Sequence, residues 1–343
     1  MTVNRSIKFT VMRNNYFIRV NLSNVFFIIS LIGVLTVTVV TFSFFSTSDK
    51  NDEGYQNVFQ QRYSIFALDL PVDLVFAGEK VPLDKFDVKE SFDREMLVNT
   101  YWQSQTLLFI KRANRFFPII EPILKKHAIP DDFKYLAVAE SGLTNSVSSA
   151  GAVGVWQFMR GTALDYGLEI NNEVDERYHL EKSTEAACNY LRDSYDKYGS
   201  WAMVAASYNA GRNAIDVQLE RQKASNYYDL LLGEETGRYV FRILALKTIL
   251  NDPEKFGFHF REKHLYPTFQ TYQVEVDTVV LDFAKFAIDH DTNYKILKKL
   301  NPWLRQSFLT NKYGKKYIIK LPVDGFRENN KFVQAPDTIY NSI

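Results

Sequence analysis

Cysteine is almost absent from this chain of 343 residues, which contains a single one, Cys188. One thiol excludes an intrachain disulfide framework, and its place in a helical pattern predicts a small buried residue. No cysteine follows the apolar stretch near the N-terminus, so we expect no lipoprotein anchor there.

Excess charge of one sign is also missing, because 41 basic and 40 acidic residues leave a formal net charge of +1. The chain therefore has no overall basic field that would attract nucleic acid. No metal-ligand spacing, phosphate-binding glycine loop or Ser/His/Asp order is apparent, so we expect neither a metal nor a cofactor. The five histidines are scattered, as surface or core residues: His127, His179, His259, His264 and His290.

Acidic residues are absent from residues 1–24, which carry four basic ones, and residues 25–45 contain no charge at all. Such an apolar run is long enough to cross a bilayer as a helix. The basic residues before it and the acidic ones after it predict a cytoplasmic N-terminus and an external remainder. We expect an uncleaved signal anchor, and the main alternative is a cleaved signal peptide.

Residues 46–90 show no sustained periodicity and predict a spacer, in which Val72–Asp84 forms an extended segment or a short hairpin turning at Gly78. Helical periodicity starts at Ser91 and predicts one long helix that reaches Ile110. A second helix should cover Ala113–His127, interrupted near its two prolines. Further helices are expected at Gly161–Tyr166, Glu181–Tyr198, Trp201–Tyr208, Gly211–Arg221 and Glu234–Leu250.

The stretch around which this mainly α chain is organised contains Phe133, Leu136 and Glu140 at helical spacing. Ser141 and Gly142 then end the predicted helix. Glu140 should point toward the interior or a cleft wall, where loss of water favours a protonated carboxyl that can serve as a general acid. The alternative from the helix alone is a glutamate whose carboxyl lies in solvent.

A segment rich in small residues follows that helix. Gly151 and Gly154 permit tight turns or a close approach of the backbone to a ligand. The next residues combine aromatic, amide and thioether groups, which suits a groove with apolar walls and a few hydrogen-bonding groups. Read singly, Trp156 and Phe158 are more typical of a core.

Four motifs occur in order: AES at Ala139–Ser141, GAVGVWQFM at Gly151–Met159, SYNAG at Ser207–Gly211 and ETGRYV at Glu235–Val240. Together they resemble the soluble lytic transglycosylase domain, glycoside hydrolase family 23, and most closely the membrane-bound lytic murein transglycosylase D group. The resemblance covers about residues 115–255. It implies a lysozyme-like fold and cleavage of peptidoglycan strands in the periplasm.

The resemblance implies that Glu140 is the catalytic acid and then the base. It also implies that the remaining motif residues bind the substrate, with Tyr239 orienting the reacting region and the others contacting the sugars: Ser149, Gln157, Met159, Tyr208 and Asn209. The products would carry 1,6-anhydromuramoyl ends. Where the family usually has Leu-Met before the glutamine, this chain has Val155 and Trp156, so the shape of a subsite should differ.

Apart from Glu235, which more simply caps the next helix, no second acid lies inside a motif. A charged segment nearby is typical of solvated surface (Asp165, Glu169, Glu173, Asp175 and Glu176). Hydrolysis of a sugar linkage ordinarily uses two carboxylates, and a single acid suffices if the substrate supplies the nucleophile, which is the route that the resemblance implies. The alternatives are a goose-type lysozyme hydrolase and a non-catalytic peptidoglycan-binding envelope protein.

Beyond Pro267 the pattern predicts a strand, two helices and a final strand. This small α+β segment resembles a degenerate LysM carbohydrate-binding module, and a plain structural extension is the alternative. The predicted organisation is a basic N-terminus (1–24), a membrane anchor (25–45), a spacer (46–90), a catalytic domain (91–262) and the LysM-like segment (268–325). The chain would then be single-pass in the inner membrane, or periplasmic if the signal is cleaved.

Overall fold

The computed structural model describes residues 10–13, 16–19, 29 and 65–327. The chain divides into two compact units, Met1–Phe66 and Ala67–Ile343. In the first, β1 (Thr10–Arg13) pairs antiparallel with β2 (Tyr16–Arg19). The predicted membrane anchor at 25–45 lies outside the described residues apart from Ile29, and no helix among the described residues has the length and apolarity to span a bilayer.

The second unit begins with a short hairpin, β3 (Val75–Phe76) and β4 (Glu79–Lys80), which turns at Gly78 as predicted. Phe76 of this hairpin is fully buried and joins the core of the helical domain that follows. That domain contains eight α-helices among the described residues: α1 (Phe86–Tyr101), α2 (Gln103–Lys126), α3 (Phe133–Ser141), α4 (Arg160–Asp165), α5 (Leu180–Tyr198), α6 (Trp201–Ala210), α7 (Arg212–Gln222) and α8 (Glu234–Asn251).

Two predictions for the first helices are wrong. The helix is interrupted at Trp102, which separates α1 from α2, whereas the sequence predicted one continuous helix. Conversely, α2 runs without interruption through Pro118 and Pro122. Both prolines are exposed, so the carbonyl groups that lose an N–H partner to them lie on the solvent side of the helix, where water can replace it.

Helix α3 is the central element of the helical core. Five of its nine residues are buried, and Phe133 and Leu136 have no exposed surface. Burial of each such side chain contributes roughly 1.5–3 kcal/mol. The helix ends at Gly142, which adopts φ 59° and donates its N–H to the carbonyl of Val138. A side chain at 142 would collide with Phe109, since a Cβ there would lie 2.6 Å from its ring.

The C-terminal part has the predicted order: β5 (Thr271–Val276), α9 (Phe283–Ile288), α10 (Tyr294–Leu300) and β6 (Tyr317–Pro322). The strands pair antiparallel, with Val274 opposite Ile319. This part has a hydrophobic core of its own. Asn301 is buried, and its side-chain amide both donates to and accepts from the backbone of Lys320, which fixes α10 against β6.

The segment that precedes α5 connects the two cores. Val174 is packed in the C-terminal core, and the Asp175 N–H donates to the carbonyl of Trp303. The prediction that Asp175 and Glu176 lie on a solvated surface is therefore wrong, since both are buried. The Asp175 carboxylate is paired with Arg177 and that of Glu176 with Lys182, so burial leaves neither charge uncompensated.

Candidate active site

Glu140 lies in the last turn of α3, one turn beyond the buried Leu136. Its side chain is half-buried, and its carboxyl group accepts a hydrogen bond from the hydroxyl of Tyr239. Tyr239 lies in α8 with almost no exposed surface. The two residues are 99 positions apart, so the packing of α3 against α8 brings together the second residue of the first motif and the tyrosine of the fourth.

Burial raises the pKa of Glu140 from its ordinary value of 4.5 to about 7. The hydrogen bond from Tyr239 and the positive charge of Arg242 act in the opposite direction, and the negative charge of Glu235 adds to the rise. Loss of water therefore outweighs both groups that favour the charged form. A carboxyl with this pKa retains its proton on about half of the molecules at neutral pH, which suits a group that must first donate a proton and then accept one.

Arg242 is held in place by two carboxylates. Its guanidinium lies 2.9 Å from Glu235, in the first turn of α8, and 3.8 Å from Glu95, in α1. Glu95 is 1% exposed and also binds Arg94 and Arg238. A buried carboxylate destabilises the fold unless it is paired, so Glu95 requires these arginines. Its ion pairs with Arg238 and Arg242 hold α1 against α8, the helix that carries Tyr239.

The glycine-rich segment after α3 is supported by Arg177. This buried guanidinium donates to the carbonyls of Gly151 and Phe158, at 3.4 and 3.3 Å. Gly154 has φ 84°, and a Cβ at this position would lie 2.0 Å from the carbonyl oxygen of Arg177. Gln157, at φ 50°, donates its amide to the carbonyl of Gly154 at 2.8 Å. The close approach thus fixes the path of the backbone that presents Gln157.

Trp156 belongs to the core and does not form a groove wall. It is fully buried, and its indole N–H donates to the hydroxyl of Thr184 at 2.8 Å. Its carbonyl accepts a hydrogen bond from the Tyr208 hydroxyl at 2.7 Å. Phe158 is buried as well and contacts the Tyr208 ring edge-on. The structure therefore confirms the interpretation of Trp156 and Phe158 as core residues.

The remaining predicted substrate-binding residues differ in their surroundings. The Asn209 side-chain oxygen accepts a hydrogen bond from the Thr236 hydroxyl at 2.8 Å, which joins the third motif to the fourth. Tyr208 is close enough to Glu140 for its pKa to be raised by that charge, in addition to a larger rise from burial. Ser149 and Met159 are exposed and, among the described residues, make no hydrogen bond with this group.

The sequence analysis missed the residues that hold the elements of the site in place. Glu95 was detectable, because it stands at helical spacing with Phe92, Met96 and Asn99 on what proves to be the buried face of α1. Arg242 follows Arg238 by one turn on α8. Arg177 had no such signal, since its partners come from a loop some twenty residues earlier in the chain.

Comparison with known proteins identifies the domain that carries Glu140 and the predicted substrate-binding residues. Residues 117–231 match the family model of the transglycosylase SLT domain. The chain carries an SLT domain. Glu140, Gln157, Tyr208 and Asn209 lie inside the matched range, whereas Tyr239 and Arg242 follow it. Residues 272–325 match the soluble lytic transglycosylase C-terminal LysM-like domain, which confirms the LysM-like prediction.

Two curated relatives are similar to this chain. Both are named membrane-bound lytic murein transglycosylase D, one from Escherichia coli (strain K12) and one from Escherichia coli O6:H1. Each is 30% identical over 176 residues, which is 50% of this chain and 38% of the relative. The match therefore spans well under half the length of either relative.

Tyr239→Phe tests how the site of the SLT domain sets the pKa of Glu140. Because the lost hydrogen bond favours the charged carboxylate, the variant should have a higher Glu140 pKa, and the alkaline limb of kcat/KM against pH should move upward. Tyr135→Phe is the matched control, since its hydroxyl bonds to Asn251 at the far end of α8. An unchanged limb in Tyr239→Phe, or an equal shift in both variants, would contradict this account.

Proposed function

We propose that this chain is a lytic transglycosylase that cleaves the β-1,4 bond between N-acetylmuramic acid and N-acetylglucosamine in peptidoglycan. The observation that carries the proposal is the half-buried Glu140 carboxyl, bonded to Tyr239 and with a pKa of about 7, inside an SLT domain. The names of the two relatives support the substrate and the reaction class.

In the proposed mechanism, Glu140 donates its proton to the glycosidic oxygen while the bond from that oxygen to C1 of the muramoyl residue breaks. The muramoyl N-acetyl group assists departure. The Glu140 carboxylate then takes the proton of the C6 hydroxyl, and O6 attacks C1 to close a 1,6-anhydro ring. The carboxyl is regenerated and no water is consumed, so one acidic side chain performs both proton transfers.

The surroundings of Glu140 favour this use of a single carboxylate. The negative charge of Glu235 raises the pKa of Glu140, and Glu235 is paired with Arg242. Glu95 is buried and is paired with three arginines. Neither is free to activate a water as a second catalytic carboxylate would, which favours the transglycosylase over the goose-type hydrolase.

We propose further that the predicted substrate-binding residues line one glycan cleft. Gln157 and Asn209 would offer amide groups to the N-acetyl and hydroxyl groups of the sugars. The hydroxyl of Tyr208 already donates a hydrogen bond to the carbonyl of Trp156, so Tyr208 would offer the sugars its ring and an acceptor oxygen. Ser149 and Met159, both exposed, would contact the glycan at the rim of the cleft.

We also propose that residues 25–45 anchor the chain in the inner membrane and place the SLT domain in the periplasm. The apolar run, its basic N-terminal flank and the membrane-bound relatives support this location. The spacer would cover residues 46–90 and contains the β3–β4 hairpin, whose Phe76 packs in the helical core.

Mass spectrometry of the fragments released from purified sacculi tests the proposed reaction. A transglycosylase should leave 1,6-anhydromuramoyl ends, because the C6 hydroxyl replaces water as the nucleophile. Fragments with reducing ends alone would shift the assignment to a lysozyme-like hydrolase. Intact sacculi that nevertheless retain the protein would point to a non-catalytic binding protein.

A further inference from the structure

A pocket of about 360 Å³ lies beside the proposed cleft, between the end of α6, one face of α7 and the start of α8. Ala210 and Thr236 form the wall nearest the cleft, and Thr236 bonds to Asn209. The opposite wall is formed by Gln218 and Arg221 of α7. The pocket is therefore continuous with the third and fourth motifs and is not used by the proposed mechanism.

The polar groups of this pocket are hydrogen-bond donors. Gln222 bonds to both backbone groups of Leu231, so its side-chain oxygen and nitrogen are assigned without ambiguity. Its nitrogen donates to the side-chain oxygen of Gln218 at 2.9 Å. The oxygen of Gln218 is thereby occupied, and its NH₂ group has no acceptor among the described residues.

Arg221 adds a positive charge to the same wall. Its guanidinium forms no ion pair within the part of the chain that the structure describes, and none of the described residues that line the pocket is acidic. Two unused donors, one of them charged, match a carboxylate. Leu231, which is exposed, and Leu232 supply apolar surface beside them.

We propose that this pocket binds the peptide stem of the glycan strand through one of its carboxylates. The inference rests on the proposed function, because a stem is attached to the lactyl group of each N-acetylmuramic acid and so enters the cleft with the sugar. The acidic residue of the stem and the residues after it carry free carboxylates, which would accept hydrogen bonds from Arg221 and Gln218. Its small aliphatic side chains would contact Leu231 and Leu232.

The test measures binding of two glycan preparations to full chains that carry Glu140→Gln and therefore do not consume them. One preparation retains its peptide stems, and the other has had them removed by an amidase. Adding Arg221→Ala should weaken binding of the stem-bearing strands about tenfold, the effect of losing one charge-assisted hydrogen bond, and leave binding of the bare strands unchanged. Arg221→Lys should recover part of the loss, because it restores the charge without the planar fork.

Lys223→Asn is the matched control, because it removes a neighbouring positive charge that does not line the pocket. Its φ of 55° is one that asparagine tolerates. If Arg221→Ala weakened binding of both preparations equally, the pocket would bind sugar. If it weakened binding of neither, the pocket would have no role in glycan binding. Either result would overturn the proposal. Absence of anhydro products from the unmodified chain would overturn the proposed reaction instead, whatever the binding result.

Discussion

Glu140→Gln should abolish the release of soluble fragments from purified sacculi and leave the fold intact. The amide cannot donate the proton that the departing sugar needs, nor take up the proton of the C6 hydroxyl. General acid–base catalysis by one group is typically worth about 10²–10⁴-fold, and here both proton transfers fall to the same side chain. The side-chain oxygen of the introduced amide can still accept the hydrogen bond from Tyr239, so the packing of α3 on α8 should persist.

Two measurements separate lost chemistry from lost structure. The melting temperature of Glu140→Gln at neutral pH should be at least as high as that of the unmodified chain, because the amide replaces a carboxyl whose charged form is disfavoured by burial. Glu235→Gln provides a matched control, because it removes a carboxylate that is exposed and 2.9 Å from Arg242 but does not contact the Tyr239 hydroxyl. It should retain most of the activity. If Glu140→Gln kept more than a few per cent of the activity, Glu140 would not be the proposed acid.

Gly154→Ala should cause the largest loss of stability of any single methyl added to the site. Its φ of 84° strains a side chain, and its Cβ would lie 2.0 Å from the carbonyl oxygen of Arg177. Either the glycine-rich segment or the buried Arg177 must therefore move. We expect the free energy of unfolding to fall by about 3 kcal/mol or more, with activity lost because Gln157 bonds to this backbone.

Gly151→Ala separates the two causes in that variant. Gly151 has φ 85°, almost the same as Gly154, but nothing lies within 4 Å of its Cβ position. Backbone strain alone should lower its free energy of unfolding by about 1 kcal/mol. Urea denaturation of both variants measures the difference, and similar losses at the two glycines would refute the close contact with Arg177.

The sequence predicted those features that depend on local pattern. The end of α3 at Gly142, the turn at Gly78 and the strand–helix–helix–strand order near the C-terminus are all confirmed. Each depends on residues within about one or two turns of one another. The resemblance of the four motifs led to the SLT domain because several weak signals occurred in one order.

Features that depend on distant packing were not predictable in this way. Asp175 looked like a surface acid, and it is buried because Trp303, some 130 residues later, covers its backbone. Trp156 looked suited to a groove until the position of Thr184 showed why its indole faces the core. The pairing of Glu95 with Arg242 required α1 and α8 to be adjacent, which no local pattern indicates.

Titration of the Glu140 carboxyl itself is the most direct test of this account. Carbon-13 NMR of the full chain with carboxyl-labelled glutamate would follow it, and the resonance missing from Glu140→Gln would assign it. The account predicts a midpoint near pH 7, because burial outweighs the hydrogen bond from Tyr239 and the charge of Arg242. A midpoint near 4.5, the ordinary value, would mean that this carboxyl carries no proton to donate at neutral pH.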